Sequence, residues 1–92
     1  MDKFTPIEKE NITQLYFPKE EVLTDLQEKK QRATDLHRAM TLGNIDHVKM
    51  KIYFADNQQR YVVDTTIWAA TEHNIVLKKG TVIPVCRIYK IV

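Results

Sequence analysis

The first half of the chain carries apolar residues at helical spacing. One face of a helix is marked by positions that recur at steps of four and three, with Leu23 alongside: Val22, Leu26, Lys29, Ala33, Leu36 and Met40. Pro18 suits a first helical turn because its ring fixes φ and its missing N–H needs no partner there. Gly43 is the expected left-handed stop. The pattern predicts one long helix over 18–43, of which about 18–42, before the glycine stop, spans roughly 36 Å at about 1.5 Å per residue.

After Gly43 apolar and polar residues alternate, which is the pattern of strands. Val48, Met50, Ile52 and Phe54 share one face of the first strand. Residues 60–70 are rich in β-forming side chains and apolar on both faces, so we expect one long strand that bends. Three further strands follow: Ile75–Leu77, a strand beginning at Thr81–Ile83, and Ile88–Val92. We expect a positive φ at Gly80 in the turn before the second of these strands, and a helical turn through Val85–Arg87 before the third.

These elements predict an α+β fold in which a long N-terminal helix precedes a five-stranded antiparallel small barrel over 46–92. A bent second strand is how a small barrel closes its sheet. Trp68 lies on that strand, and we expect it to fill the gap between barrel and helix. A chain of 92 residues has room for one hydrophobic core, so 1–92 is predicted to be a single domain.

Two features at the start of the chain bear on partners. Residues 1–17 carry scattered large apolar side chains without a regular period, and we expect them to form an arm that packs on the body. The predicted helix is longer than a barrel about 20 Å across requires, so part of its apolar stripe overhangs. Either the arm covers that overhang or a second copy of the protein does. The candidate interface is Val22, Leu23 and Leu26.

The order of elements also carries a resemblance. A helix followed by five short bent strands, with Ile83-Pro84-Val85-Cys86-Arg87-Ile88 leading into the last, resembles the Sm-like and SH3-like small-barrel folds. The stretch from Leu42-Gly43-Asn44 to Ile83-Pro84 is similar to a family of small uncharacterised bacterial proteins. The resemblance implies the fold alone, because the glycine, asparagine and Arg-Gly signatures of RNA-binding Sm proteins are absent here.

Composition narrows the class of protein. Apolar residues make up 43% of the chain and charged residues 28%, which is the ordinary globular range. No apolar run approaches the ~18 residues that cross a bilayer, and the first six residues lack the apolar stretch of a secretory signal. We therefore expect a cytoplasmic protein with no membrane partner.

Charge is distributed unevenly along the chain. The formal net charge is +2, but residues 44–92 carry seven bases against four acids. Lysines that accompany exposed tyrosines are typical of surfaces that bind single-stranded nucleic acid, although lysines on strand faces also discourage aggregation. The candidate nucleic-acid residues are Lys49, Lys51, Tyr53, Lys78, Lys79, Arg87, Tyr89 and Lys90.

The sequence offers little for catalysis. His37, His47 and His73 lie on different predicted elements without metal-ligand spacing, and we expect them on the surface. Cys86, the only cysteine, is expected to be buried and inert. Asp64 is expected to face solvent or cap a turn. We predict no enzyme activity, no metal, no cofactor and no small-molecule substrate.

The predicted function is therefore binding. The favoured form is a non-catalytic module that contacts other proteins or a second copy of itself. The alternative is binding of RNA or single-stranded nucleic acid through the basic face of the barrel.

Overall fold

A computed structural model describes residues 3–92. Met1 and Asp2, the start of the predicted arm, lie outside the described residues. Short 3₁₀ turns at Lys78–Gly80 and Val85–Arg87 join the last three strands. The elements, in chain order, are β1 (Thr5–Pro6), α1 (Lys9–Ile12), α2 (Leu26–Asp46), β2 (Met50–Ala55), β3 (Arg60–Thr65), β4 (Ile67–Ala70), β5 (Asn74–Leu77), β6 (Val82–Pro84) and β7 (Ile88–Ile91).

The strands form two sheets. The first has the order β1-β3-β2-β7 and the second β4-β5-β6. Neighbouring strands are antiparallel except for β1, which runs parallel to β3. The α+β class is correct, but the prediction of a long N-terminal helix followed by a closed five-stranded barrel is wrong. A strand and a one-turn helix precede the long helix, and the two sheets do not close into a barrel.

The separation into two sheets begins at Thr66. The sequence predicted one bent strand over 60–70, whereas the structure has β3 and β4 with Thr66 between them. Thr66 is buried, and its carbonyl accepts a hydrogen bond from the Lys78 N–H at 3.0 Å. The chain therefore leaves the first sheet at this residue and enters the second.

Both sheets contribute to a single core. Its members come from the inward faces of the two sheets, from α2 and from the N-terminal arm. The largest fully buried side chains are Phe54, Ile12, Ile52, Ile67, Ile75, Leu77, Ile83, Ile88 and Val63. The side chains on the outward faces of the two sheets are therefore the ones left outside this core.

The boundaries of the long helix differ from the prediction at both ends. Helix α2 begins at Leu26 rather than Pro18, because the Asp25 carboxylate accepts the Gln27 N–H at 3.0 Å and caps the helix there. It continues through Gly43 to Asp46 and ends on the left-handed His47, whose φ is 56°. The predicted helix over 18–43 is therefore displaced towards the C-terminus.

Gly43 serves close packing rather than helix termination. It is buried where α2 crosses β4, and a Cβ built on it would lie 2.3 Å from the carbonyl oxygen of Ile67. A real Cβ does not approach an oxygen that closely, so a residue with a side chain would push the helix away from the sheet. Glycine is required here for the helix–sheet distance.

Residues 18–25, which we call the strap, form an irregular segment with bends at Lys19, Glu20 and Val22 before α2. Arg32 fastens the strap with two hydrogen bonds to the Glu21 carboxylate, at 2.7 Å and 2.6 Å, and it also donates to the carbonyl of Ile88 at 2.9 Å. The Val22 N–H donates to the carbonyl of Cys86 at 2.9 Å. These contacts to other parts of the chain explain why Pro18 does not start the helix.

Three other predictions are confirmed. The arm packs on the core, where Ile12 is 1% exposed and Ile7 and Phe17 are partly buried. The 3₁₀ turn Val85–Arg87 leads into the last strand as expected. Gly80 has a φ of 91°.

Candidate functional site

The outward face of the second sheet is uncharged. Strands β4, β5 and β6 contain no aspartate, glutamate, lysine or arginine. Ile67, Ile75 and Ile83 are buried inward, so the in-register row of Ala69, Val76 and Val82 faces outward. We call this surface, together with Trp68, the Trp68 face.

Trp68 reaches this face through a β-bulge. The pairing of β4 with β5 shifts register between Ile67 and Ala69, and Trp68 is the extra residue. Trp68 is 45% exposed, as is Val82. The prediction that Trp68 fills a gap between barrel and helix is wrong, because the bulge turns it outward.

The outward face of the first sheet is aromatic and charged. A second bulge lies in β7, where Tyr53 of β2 pairs with Lys90 but the next residue, Phe54, pairs with Ile88. Tyr89 is the extra residue, and it points outward together with Lys90, while Ile88 and Ile91 remain buried. The bulge therefore places two candidate residues beside Tyr53.

Phe4 of the arm completes an aromatic group on this face. Its ring meets Tyr53 edge-on at a centroid distance of 5.0 Å and Tyr89 at 5.5 Å. The Lys90 ammonium lies 4.9 Å from the Tyr53 ring centroid, and the Arg60 guanidinium lies 5.4 Å from that of Tyr89. Three rings and two cations thus occupy adjacent positions, and we call them the aromatic face.

A cleft of about 460 Å³ separates the aromatic face from the N-terminal half of α2. Phe4, Tyr53, Tyr89 and Lys90 line it, together with polar residues of the helix: Glu28, Gln31, Arg32 and Asp35. Asp35 is 7% exposed and accepts hydrogen bonds from Gln31 at 2.9 Å and Arg38 at 3.2 Å. The cleft joins an apolar aromatic side to a polar helical side.

A second, more open depression of about 510 Å³ adjoins the aromatic face on the side of the β2–β3 loop. Tyr89 lines both the cleft and the depression, so the two are contiguous. The charged residues of the depression are Lys3, Arg60, Arg87 and Asp56. Asp56 is 6% exposed, and its carboxylate accepts the N–H groups of loop residues Gln58 and Gln59, each at 2.8 Å.

Arg32 in the cleft is committed to the fold. Its hydrogen bonds hold the pKa of Glu21 below the ordinary value, assisted by the Leu23 N–H and opposed by partial burial. The Arg32 side chain is 8% exposed and that of Glu21 30%. A buried arginine that is hydrogen-bonded to a carboxylate in this way stabilises the fold, and we call such an arginine a brace.

The structure brings some of the candidate nucleic-acid residues together and separates others. Tyr53, Tyr89 and Lys90 meet on the aromatic face. Lys51 is on the same outward face of β2, opposite Asp64 of β3, which faces solvent as expected. The remaining lysines lie elsewhere: Lys49 just before β2, and Lys78 and Lys79 in the 3₁₀ turn of the second sheet.

Arg87 acts as a second brace. Its Nε donates to the carbonyl of Ala55 at 3.2 Å, and its two Nη atoms donate to the carbonyls of Glu20 and Asp56 at 2.8 Å and 2.9 Å. These bonds tie the strap and the β2–β3 loop to the turn before β7. The charge of Arg87 contributes to the depression, while its hydrogen bonds serve the fold.

The candidate interface on the helical stripe is largely covered. Both Val22 and Leu23 lie in the strap, where Leu23 is 6% exposed and Val22 is half-buried. Leu26, at the first position of α2, is 62% exposed. Leu26 is therefore the one residue of the three that is largely exposed.

The remaining chemistry-bearing residues do not converge. His37, His47 and His73 are exposed, as expected, and within residues 3–92 no three histidine, cysteine or acidic side chains lie close enough to hold a metal ion. Cys86 is half-buried rather than buried, and its thiol lies 3.7 Å from the carbonyl oxygen of Lys19.

Comparison with protein-family models, curated proteins and solved structures finds no match for this chain. None of the helices formed by the described residues has both the length and the apolar character needed to cross a lipid bilayer.

Proposed function

We propose that the protein is a protein-interaction module that self-associates through the Trp68 face. The observation that carries this proposal is the exposed tryptophan in a sheet whose three strands contain no charged residue. Tryptophan is among the residues most enriched at the energetic centres of protein interfaces, and charged residues are depleted there. A solvated strand face ordinarily carries polar or charged side chains.

The absence of charge favours a second copy as the partner. In a two-fold symmetric contact each surface meets itself, so any net charge on the face would repel its own image. The Trp68 face has none, whereas the chain as a whole carries +2. Among the described residues β6 pairs with β5 alone, so Val82 lies on an edge strand of the second sheet, beside the apolar row.

The size of the face sets the expected strength. Three strands about 4.8 Å apart and four residues of about 3.3 Å each give a flat area of roughly 200 Å². Stable interfaces bury about 800 Å² on each partner, so the face supplies the apolar centre of a contact whose rim is polar. We expect weak association, with a dissociation constant in the micromolar range or above.

Sedimentation velocity over a concentration series tests the proposal. The protein should sediment faster as its concentration rises, and Trp68→Ser should remain monomeric. Tyr16→Ser is the matched control, because Tyr16 is an exposed aromatic residue, 68% accessible, outside both sheets. Val82→Lys is a second test variant, since it leaves the tryptophan in place and adds a charge that would face its own copy.

The outcomes are distinct. Loss of association in Trp68→Ser and Val82→Lys but not in Tyr16→Ser supports the proposal. A monomer at every concentration, or association that survives both substitutions on the Trp68 face, overturns it. Circular dichroism melts of each variant establish that the fold is retained.

A further inference from the structure

The aromatic face and the depression beside it form one continuous surface on the first sheet, separate from the strands of the Trp68 face. Tyr89 lines both parts. The bulge in β7 is what sets Tyr89 and Lys90 outward together, next to Tyr53 on the neighbouring strand. Tyr89 therefore joins the aromatic face to the cationic residues of the depression.

Charge divides this surface into two parts. Among the described residues, Lys3, Arg60, Arg87 and Asp56 are the charged groups that line the depression, and the Asp56 carboxylate accepts backbone N–H groups of its own loop. Of the charged residues that line the cleft, Arg32 pairs with Glu21 and Asp35 with Arg38, and the other two, Lys90 and Glu28, are opposite in charge. An anionic group is therefore attracted to the depression, and the carboxylates of α2 disfavour it on the helical side of the cleft.

We infer that this surface binds single-stranded nucleic acid, with bases against Tyr53 and Tyr89 and phosphates over Lys3, Arg60 and Arg87. Stacking on aromatic rings combined with a cationic track is the general mode by which proteins hold unpaired strands. Duplexes are a poorer fit because their base faces are already stacked. The surface belongs to a different sheet from the proposed self-association, so either proposal can fail without the other.

Amide side chains add a means of contacting base edges. Asn57 and Gln58 are exposed in the β2–β3 loop and line the depression. A side-chain amide both donates and accepts hydrogen bonds, as base edges do. Phe4 holds Tyr53 and Tyr89 in place, because its ring contacts both tyrosines.

Fluorescence anisotropy with labelled oligouridine and oligothymidine of about ten nucleotides, a length within the range of known single-strand sites, tests the inference. Binding should be measurable at about 50 mM salt. If three phosphates are neutralised, raising the salt to about 200 mM should weaken binding roughly 20-fold. Tyr89→Ala should weaken binding about 10-fold or more through lost stacking, while Tyr89→Phe retains the ring, removes only the hydrogen bond from Arg60 Nε to the Tyr89 hydroxyl, and should lose much less affinity than Tyr89→Ala.

Lys78→Ala is the matched control, since this lysine lies in the turn of the second sheet and its removal changes the net charge as Lys3→Ala does. Lys3→Ala should reduce affinity and salt dependence, and Lys78→Ala should leave both unchanged. Absence of binding at low salt overturns the inference. Equal losses in the two lysine variants, or equal competition by polyglutamate of matched charge, also overturn it, because either result indicates nonspecific attraction of anions.

Discussion

Replacing Gly43 with alanine tests the packing of α2 against β4. The added Cβ would lie 2.3 Å from the carbonyl oxygen of Ile67 and 3.1 Å from a methyl group of Thr66, against ordinary contacts of 3.4 Å or more. The helix would have to withdraw by about 1 Å, because the nearest atom belongs to the backbone of a strand and cannot rotate away. The two sheets meet at this segment of chain, so the strain falls on the core.

The magnitude follows from two opposing effects. Overpacking of a well-packed core costs about 1–3 kcal/mol. Alanine in place of glycine inside a helix stabilises by about 1 kcal/mol. Because a backbone oxygen is the obstacle, we expect a cost at the upper end and a net loss of about 1–2 kcal/mol. At about 4–8 °C per kcal/mol for a domain of this size, Tm should fall by roughly 4–16 °C.

Urea unfolding monitored by circular dichroism measures the effect, with Asn44→Ala as the control. Asn44 is the next residue of the same helix and is exposed, so its replacement should stabilise by a few tenths of a kcal/mol, about the difference in helix propensity. If Gly43→Ala is as stable as Asn44→Ala, then the close approach to Ile67 is not what requires glycine at this position.

Two further predictions concern the strap. Arg32→Met removes both hydrogen bonds to Glu21 and the one to Ile88, and it should lower the free energy of unfolding by about 2–3 kcal/mol. Lys30→Met, on the exposed side of the helix, is the control and should change the free energy of unfolding by about 0.5 kcal/mol or less. The midpoints of urea unfolding measure the difference between the two variants. Equal midpoints would contradict a stabilising role for Arg32. The pKa of Glu21 is lowered in the fold from its ordinary 4.5, so its ionised form stabilises the protein above that pH, and this stabilisation is lost as the pH falls through the lower folded-state pKa. Acid unfolding of Glu21→Gln should therefore show a smaller loss of stability below pH 4.5 than the parent, and parallel curves would argue against the shift.

The sequence predicted the positions of most strands because alternation is a local property. The strand beginning near Met50, the turn before the last strand and the positive φ at Gly80 each depend on a few neighbouring residues. The connection of strands into sheets is not local. Residues 60–70 form two strands in two sheets with the buried Thr66 between them, and nothing in the alternation of that segment distinguishes a bend from a break.

The helix boundaries show why local signals mislead. Pro18 is compatible with a first helical turn and Gly43 with a last one, but each has a tertiary reason for its position. The strap after Pro18 is held by Arg32 and by the backbone of Cys86. Gly43 is needed where the helix meets β4. Contacts between distant parts of the chain outweighed both propensities.

The sequence predicted Tyr53, Tyr89 and Lys90 as candidate residues but neither of the two bulges, and a signal for the bulge in β7 was present. In β7 the buried residues Ile88 and Ile91 are three apart, whereas alternation in a strand requires two. A spacing of three inside a strand indicates a bulge, and the intervening Tyr89 and Lys90 must then both face outward. The bulge in β4 leaves no such signal, because no pair of large buried side chains is three apart in that strand. A lone aromatic residue usually belongs to the interior, so the sequence predicts Trp68 there.

The emission of Trp68 on dilution is the most direct test of self-association, because the chain contains a single tryptophan and it lies at the centre of the proposed contact. Fluorescence spectra and acrylamide quenching are recorded over a dilution series across the sedimentation range. Burial in a second copy predicts that emission shifts to longer wavelength and that quenching increases as the protein is diluted. Spectra and quenching that are unchanged across the series, while sedimentation still shows association, would place the contact elsewhere and contradict the account.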